Sequence, residues 1–444
     1  MDTRQFIEAH LNDDVHELAL KYSNAKVDMA LALRQIAARQ LLRKKVPSWS
    51  SNPDLLFPAH LSIEQCSSEA TALYKASLMH GVSFADLTGG LGVDCFFISQ
   101  HFQHADYVEQ NPELCALARH NFDTVAPLRG AEVSGEETRH LGNPTQAQRS
   151  VGDQTSLSDS GASERRYITI HCETAENYLQ HCEPLDCIFL DPARRDAYGR
   201  KTVSIADCTP NVIELQELLL QKAKKVMVKL SPMLDISQAL KELHHVKEVH
   251  VVAVENECKE LLFIMETGFE GEPTFTCINL ETQQPAVSFS LEEERVATLQ
   301  LATKVGRYLY EPNAAVMKGG CYRLMSQRYG LKKLHRNSHL YTSEAFVEGF
   351  PGRVFEVEDW AVYGKKAKAM LIGVEKASIA VRNFPMSVAE LRKSLKIGDG
   401  DQVYLFGTTL SDERRVIIRA HKPQAALAPL ADLGLSKSRL YEAP

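Results

Sequence analysis

No run in these 444 residues approaches the roughly 18 consecutive apolar side chains that a membrane-spanning helix requires. The opening stretch, MDTRQFIEAHLNDD, carries acids and has no apolar centre, so no secretory signal is expected and a cytoplasmic location is. Cysteine never occurs at CxxC spacing. Ten cysteines are scattered at 66, 95, 115, 172, 182, 187, 208, 258, 277 and 321, several inside apolar strand patterns such as LDCIFLD. That usage fits reduced buried thiols better than disulfides or zinc. His335 and His339 stand four apart with no acid or cysteine ligand pattern beside them, so no metal site is expected. Acid is missing altogether from residues 312–343.

The net charge of −7 hides a division. From Lys304 to Lys422 there are 21 Lys and Arg against 12 Asp and Glu, a balance of +9, so the remainder carries −16. The C-terminal part is therefore expected to meet a polyanion. The length implies two to four domains. Residues 1–80 have helical apolar spacing in HELALKYS, VDMALALRQIAARQLLRKK and SSEATALYKASLMHG. From residue 82 short apolar runs alternate with helical stretches. VSFADLT, ADYVEQN, YITIHC, LDCIFLDP, KKVMVKLSP, EVHVVAVEN and ELLFIMETG read as seven strands, with helices after most of the first five. Such alternation predicts an α/β fold with a mostly parallel, Rossmann-like sheet. The last two runs are too close for a crossover and should form an antiparallel hairpin. Residues 126–166 are rich in Ser, Gly, Thr and Gln and read as a disordered insertion. After Gly268 a new unit is expected, with strands in TFTCINLETQQPAVSFSL and a helix through EEERVATLQLATKVGRYLYEP.

Residues 86–94, DLTGGLGVD, join the first strand to a helix. Glycines there let backbone N–H groups approach a ligand at a helix N-terminus. The turn alone fits a nicotinamide dinucleotide or a methyl donor. Asp86 ends the strand directly before the turn, which is awkward for pyrophosphate and tolerable for a ligand with a cationic end. Glu109, at the end of the second strand, is positioned for ribose hydroxyls. In these residues the sequence resembles the class I S-adenosylmethionine-dependent methyltransferases, whose sheet has seven strands and an antiparallel terminal hairpin. The resemblance implies that Asp86, Gly90 and Gly92 hold the methionine part of the cofactor, with Thr88 where a glycine is usual. It also implies that Glu109 binds the ribose and Glu173 the adenine amino group. Ser68, in LSIEQCSSEATALYKA, is expected at the same pocket together with Ser67; a Ser-capped helix start is the other reading of that stretch.

LDCIFLDPARRDAYGR delivers Asp191 to the end of the fourth strand. It resembles the Asp/Asn-Pro-Pro-aromatic motif of amino-methyltransferases. That resemblance implies catalytic roles for Asp191 and Pro192, which would hold an exocyclic amine, with Arg194 where the aromatic usually stands. Lys229 and Ser231, in KLSPMLD, lie at the same rim. In the basic stretch, Lys318, Arg323, Arg328, Lys332, Lys333 and Arg336 are interleaved with Tyr322, Tyr329 and Tyr341, a composition suited to phosphate contact and base stacking. The whole chain resembles a bacterial group of class I methyltransferases with a THUMP-like domain, on LSIEQCSSEATALYKA, DLTGGLGVD, DPARR, YLYEPNAAVMKGG, LHRNSHLYTSE and VRNFPMSVAELRKSL. This implies S-adenosylmethionine as cofactor and an RNA substrate, tRNA or rRNA. The expected organisation is a helical region at 1–80, a methyltransferase domain at 81–268, a small α+β (ferredoxin-like) domain at 269–349, a THUMP-like domain at 350–425 and a tail at 426–444. Three other readings stay open: a non-catalytic RNA-binding protein, a dinucleotide oxidoreductase, and a small-molecule or protein methyltransferase.

Overall fold

A computed structural model describes residues 2–22, 26–58, 60–125, 167–193 and 204–423. The 126–166 insertion and the 426–444 tail lie outside the described residues, as do Arg194, Arg195 and Tyr198. Among the described residues no helix is long and apolar enough to cross a membrane.

The first sheet is built from β1 (Ser83–Asp86), β2 (His104–Val108), β3 (Tyr167–His171), β4 (Leu185–Leu190), β5 (Ala223–Leu230), β6 (Val246–Val254), β7 (Glu257–Glu266), β8 (Thr274–Leu280) and β9 (Val287–Ser290). Their order is β3-β2-β1-β4-β5-β7-β6-β8-β9. The first five strands pair in parallel, β7 runs antiparallel to both β5 and β6, and β8 is parallel to β6. The seven expected strands and the terminal hairpin are therefore present. The hairpin turns at Glu255–Asn256, both at positive φ, two residues earlier than the sequence suggested.

Buried strands of this kind carry near-continuous apolar runs, because both faces are covered. In β4, Ile188 and Leu190 enter one core and Cys187 and Phe189 the other. In β7, Leu261, Phe263 and Met265 alternate in the same way with Leu262 and Ile264. The N-terminal helices cover one face, with Leu42, Trp49, Phe57 and Met79 packed on Phe84 and Phe97. Helices Val212–Lys222 and Ile236–Glu242 cover the other.

Two expectations change beyond Gly268. β8 and β9, read as the start of a separate unit, extend the first sheet to nine strands. The helix read through residues 292–312 stops at Val296, and Tyr308–Pro312 is instead a strand, β10. Gly306 lets the chain enter β10 tight against its neighbour: a Cβ there would come within 2.7 Å of the Ser343 carbonyl oxygen. β10 opens a second sheet with β11 (Lys332–Lys333), β12 (Tyr341–Ser343), β13 (Gly352–Val362), β14 (Ser378–Arg382), β15 (Tyr404–Thr409) and β16 (Arg415–His421), ordered β11-β12-β10-β13-β16-β15-β14. The expected boundary at 349/350 thus falls between strands of one sheet. Buried Glu311 crosses it, pairing with Arg353 and with Arg382 at 2.7 Å.

After β3 the chain returns to the opposite side of β1 to form β4. This reversal opens a crevice at the C-terminal ends of β1 and β4, where open α/β sheets bind ligands.

Candidate active site

The crevice leads into a cavity of about 1160 Å³ lined by Asp86, the glycine turn, Glu109, Glu173, Asp191 and Lys229, among others. Asp86 is only 1% exposed. Burial pushes its carboxyl up to about 8, against the Thr88 backbone N–H that favours the charged form. Oδ1 accepts that N–H at 3.0 Å, while Oδ2 has no hydrogen-bond partner among the described residues. A buried, half-satisfied carboxylate that is costly to ionise fits a cationic ligand group.

Each glycine of the turn has its own reason. Gly90 (φ +54°) and Gly92 (φ +87°) adopt left-handed backbone. A Cβ on Gly90 would meet only the Thr88 carbonyl oxygen, at 3.7 Å, so the backbone is open on that side. Gly92 caps helix Val93–Ser99, and a Cβ there would press on Phe122 at 2.7 Å. Gly89, which the sequence reading passed over, sits directly against the Tyr107 ring, where a Cβ would overlap the ring. Tyr107 in turn donates to the Gly90 carbonyl at 2.6 Å. Gly89→Ala should therefore cost about 1–3 kcal/mol of stability through overpacking. Thermal melting together with ligand titration checks this; a variant that melts and binds like the parent would show that the ring can retreat freely.

Thr88, where glycine is usual in the resembling family, is not in left-handed backbone and needs no glycine. Its hydroxyl accepts the Asp191 backbone N–H at 2.7 Å and lies 3.4 Å from Asp86 Oδ1. It ties the end of β4 to the end of β1. Glu109 braces the same turn: Oε2 accepts the Gly90 N–H at 3.0 Å and Oε1 the Asn111 N–H at 2.8 Å. Glu173 borders the cavity with its carboxylate on His181 at 3.1 Å.

Ser68 also borders the cavity, but its hydroxyl caps helix Glu69–Ser77 by accepting the Thr71 N–H. Ser67 is the serine turned to polar partners across the site, donating to Asp94 Oδ2 at 2.6 Å. Asp191 follows β4, and Oδ2 is ion-paired with Lys229 at the end of β5. The pair engages one Asp191 oxygen and leaves Oδ1, with the Pro192 carbonyl, as the two acceptors that the implied amine cradle uses. Pro192 is buried at the cavity wall, and Ala193 pairs through backbone with Thr209. Arg194 lies outside the described residues.

Sequence reasoning missed Gly89, Tyr107, Asp94 and Glu260. Glu260 was detectable as a lone acid opening the apolar run LLFIM; Asp94 stood at the end of the quoted glycine stretch.

The basic stretch is corrected more heavily. Lys333 is buried; it donates to the Arg336 carbonyl at 2.7 Å and lies over the Tyr322 ring at 4.9 Å. Burial lowers its ammonium to about 8. Lys318 donates to the Leu234 carbonyl, Arg323 to that of Arg295, and Arg328 to Ser288 and Glu293. Tyr341 is buried with its hydroxyl on the Tyr322 carbonyl. These side chains hold the fold together. Of the six candidates, Arg323, Arg328, Lys332 and Arg336 are exposed, the first two with hydrogen bonds back to the fold.

Residues 308–351 match a family model described as a ferredoxin-like domain, and 352–422 one described as THUMP domain-like. No curated protein matches the chain. Among solved structures, it is 31% identical to a "putative methyltransferase" from Porphyromonas gingivalis W83, over 95% of this chain and 98% of that one, with a TM-score of 0.76. Fainter likenesses reach a SAM-dependent methyltransferase from Neisseria gonorrhoeae (16% identity, 46% and 68% coverage, TM-score 0.27) and a "putative RNA methyltransferase" from Pyrococcus horikoshii (10%, 52% and 98%, 0.30), both too distant to bear on function. On the strength of the near full-length match, the chain belongs to the class I S-adenosylmethionine-dependent methyltransferases that carry a C-terminal THUMP-like domain.

Proposed function

We propose that the protein binds S-adenosylmethionine at the glycine turn and methylates RNA. The observation that carries the cofactor half is Asp86: a carboxylate 1% exposed, with Oδ2 unpartnered among the described residues, beside an open backbone turn. In this reading Asp86 receives the cofactor's amino group. Gly90 and Gly92 admit the close approach, and Glu109, already braced on the turn, presents its carboxylate edge to the ribose. Glu173 and Ser68 complete the pocket wall. When bound, S-adenosylmethionine supplies a methyl group on a sulfonium. The protein's contribution is to aim an acceptor held at Asp191 and Pro192, since in-line displacement depends mostly on positioning.

The RNA half is supported by the THUMP-like match, since THUMP domains are RNA-binding modules, and by the +9 charge balance of the C-terminal part. Phosphate contact falls to Lys332 and Arg336, with Lys365, Lys366 and Lys368 exposed on helix Lys365–Met370 as further candidates.

Calorimetric titration with S-adenosylhomocysteine tests the cofactor. Binding at micromolar concentration is expected, and none at high micromolar ligand with the fold intact sinks the reading. Failure to bind RNA at low salt would move the acceptor to a small molecule or a protein.

A further inference from the structure

Four side chains of alternating charge meet at the floor of the cavity. Lys75, on helix Glu69–Ser77, contacts both carboxylate oxygens of Glu260 on β7, at 2.8 and 3.0 Å. Lys229, at the end of β5, pairs with Asp191 after β4. Asp191, Lys229 and Glu260 all line the cavity, and exposure rises along the chain: 0% for Lys75, 3% for Glu260, 13% for Lys229 and 36% for Asp191. Ser67 and Asp94 hold Lys75 from the other side, at 3.1 and 3.2 Å. Burial works to discharge Lys229, but attraction to Asp191, then to Glu260 and Asp94, outweighs it and keeps the ammonium charged.

A fixed ammonium beside the acceptor discriminates between chemistries. A base's exocyclic amine gains positive charge as it is methylated, and Lys229 opposes that. A hydroxyl oxygen gains negative character as its proton leaves, and the same largely buried ammonium stabilises it. Asp191 is equipped for the same choice. With Oδ2 engaged by Lys229, Oδ1 remains to accept the one proton that a hydroxyl gives up.

The geometry points to a hydroxyl as the methyl acceptor, which on an internal RNA nucleotide is the ribose 2′-hydroxyl, with Lys229 and Asp191 as the catalytic pair and Lys75 and Glu260 as positioning residues; this rests on the methyl-transfer reading above. The hydroxyl oxygen forms its bond to the methyl carbon as the carbon–sulfur bond breaks, and that electron pair stays on sulfur and neutralises it. The hydroxyl proton passes to Asp191 Oδ1, whose exposed edge returns it to solvent. No further reactant is required.

The test incubates the full-length protein with methyl-labelled S-adenosylmethionine and RNA from a strain lacking the gene. The RNA is then digested to nucleosides for fragmentation in a mass spectrometer. Label retained on the ribose fragment, with resistance to alkaline cleavage at that nucleotide, is the expected result. Label on the base overturns the hydroxyl assignment and leaves methyl transfer standing. No incorporation overturns both. Lys229→Met should lower turnover by about 100-fold. Its affinity for S-adenosylhomocysteine should stay within about threefold of the parent's, because the proposed cofactor contacts lie on other residues. Lys229→Arg, which keeps the cation, should recover at least about tenfold of the loss. Parent-like turnover in Lys229→Met removes the lysine from the mechanism. Binding gives a readout independent of turnover. With S-adenosylhomocysteine present, an RNA carrying deoxyribose at the mapped nucleotide should bind several-fold more weakly than the all-ribose RNA, and equal affinity counts against the assignment.

Discussion

Asp86→Asn is expected to bind S-adenosylhomocysteine about 10- to 100-fold more weakly than the parent, yet to melt at a higher temperature without ligand. Both effects come from one buried carboxyl. Burial raises Asp86 to about 8, with Asp94, Asp191 and Glu109 adding smaller repulsions. An unfolded aspartate titrates near 4. A group raised on folding contributes stability that is complete below its unfolded value and is lost as pH climbs to its folded value. The free protein should therefore lose on the order of a few kcal/mol between about pH 4 and 8 from this residue. Asparagine, which cannot ionise, escapes that loss. The ligand's amino group needs the charged carboxylate, so the parent's affinity should improve by up to about tenfold per pH unit as pH approaches 8 and then level. The variant should show no such slope. Melting and calorimetry at pH 6, 7 and 8 read both trends. Parent-like affinity of the variant at pH 8 would remove Asp86 from the ligand site.

The sheet was legible because period and length are local signals. Runs such as CIFL are apolar throughout, as a doubly covered strand requires, and the short link after EVHVVAVEN left no room for a crossover. The limit near residue 350 lies where the two family-model matches meet, but where the first sheet ends was not legible, because pairing partners are remote in sequence. Nothing in TFTCINL announces that it adds to β6 rather than founding a new sheet. Composition also misled in the basic stretch. Lys333 and Arg328 look alike on paper, but one is buried over a tyrosine ring and the other bonds a carbonyl and an acid. Thr88 shows the opposite case. It read as a departure from a glycine pattern, and its meaning needed the 2.7 Å bond from Asp191, a residue 103 positions away.

Lys75→Met should cost about 3–5 kcal/mol at neutral pH, because removing one partner of a buried ion pair strands the other. Methionine preserves most of the length and apolar bulk of the lysine stem, so the loss isolates the charge. Glu260 is 3% exposed and Asp94 11%, and Lys75 is the cation between them. Burial already raises Glu260, while Lys75 and then Lys229 hold it down. Without Lys75 it should rise further, so acid relieves the variant by protonating the stranded group. The stability gap between variant and parent should accordingly narrow from pH 8 to pH 5, as urea unfolding at the two pH values would show. Lys75→Met combined with Glu260→Gln should recover more than half of the loss at pH 8, since no charge is then stranded at that position. The double variant also separates folding from chemistry. Most of its stability should return, but Lys229 will have lost the Glu260 charge that helps keep its ammonium charged, so turnover should stay depressed. Equal stability of Lys75→Met and the parent at pH 8 would mean that water reaches Glu260 and that the pair does not order the floor of the cavity.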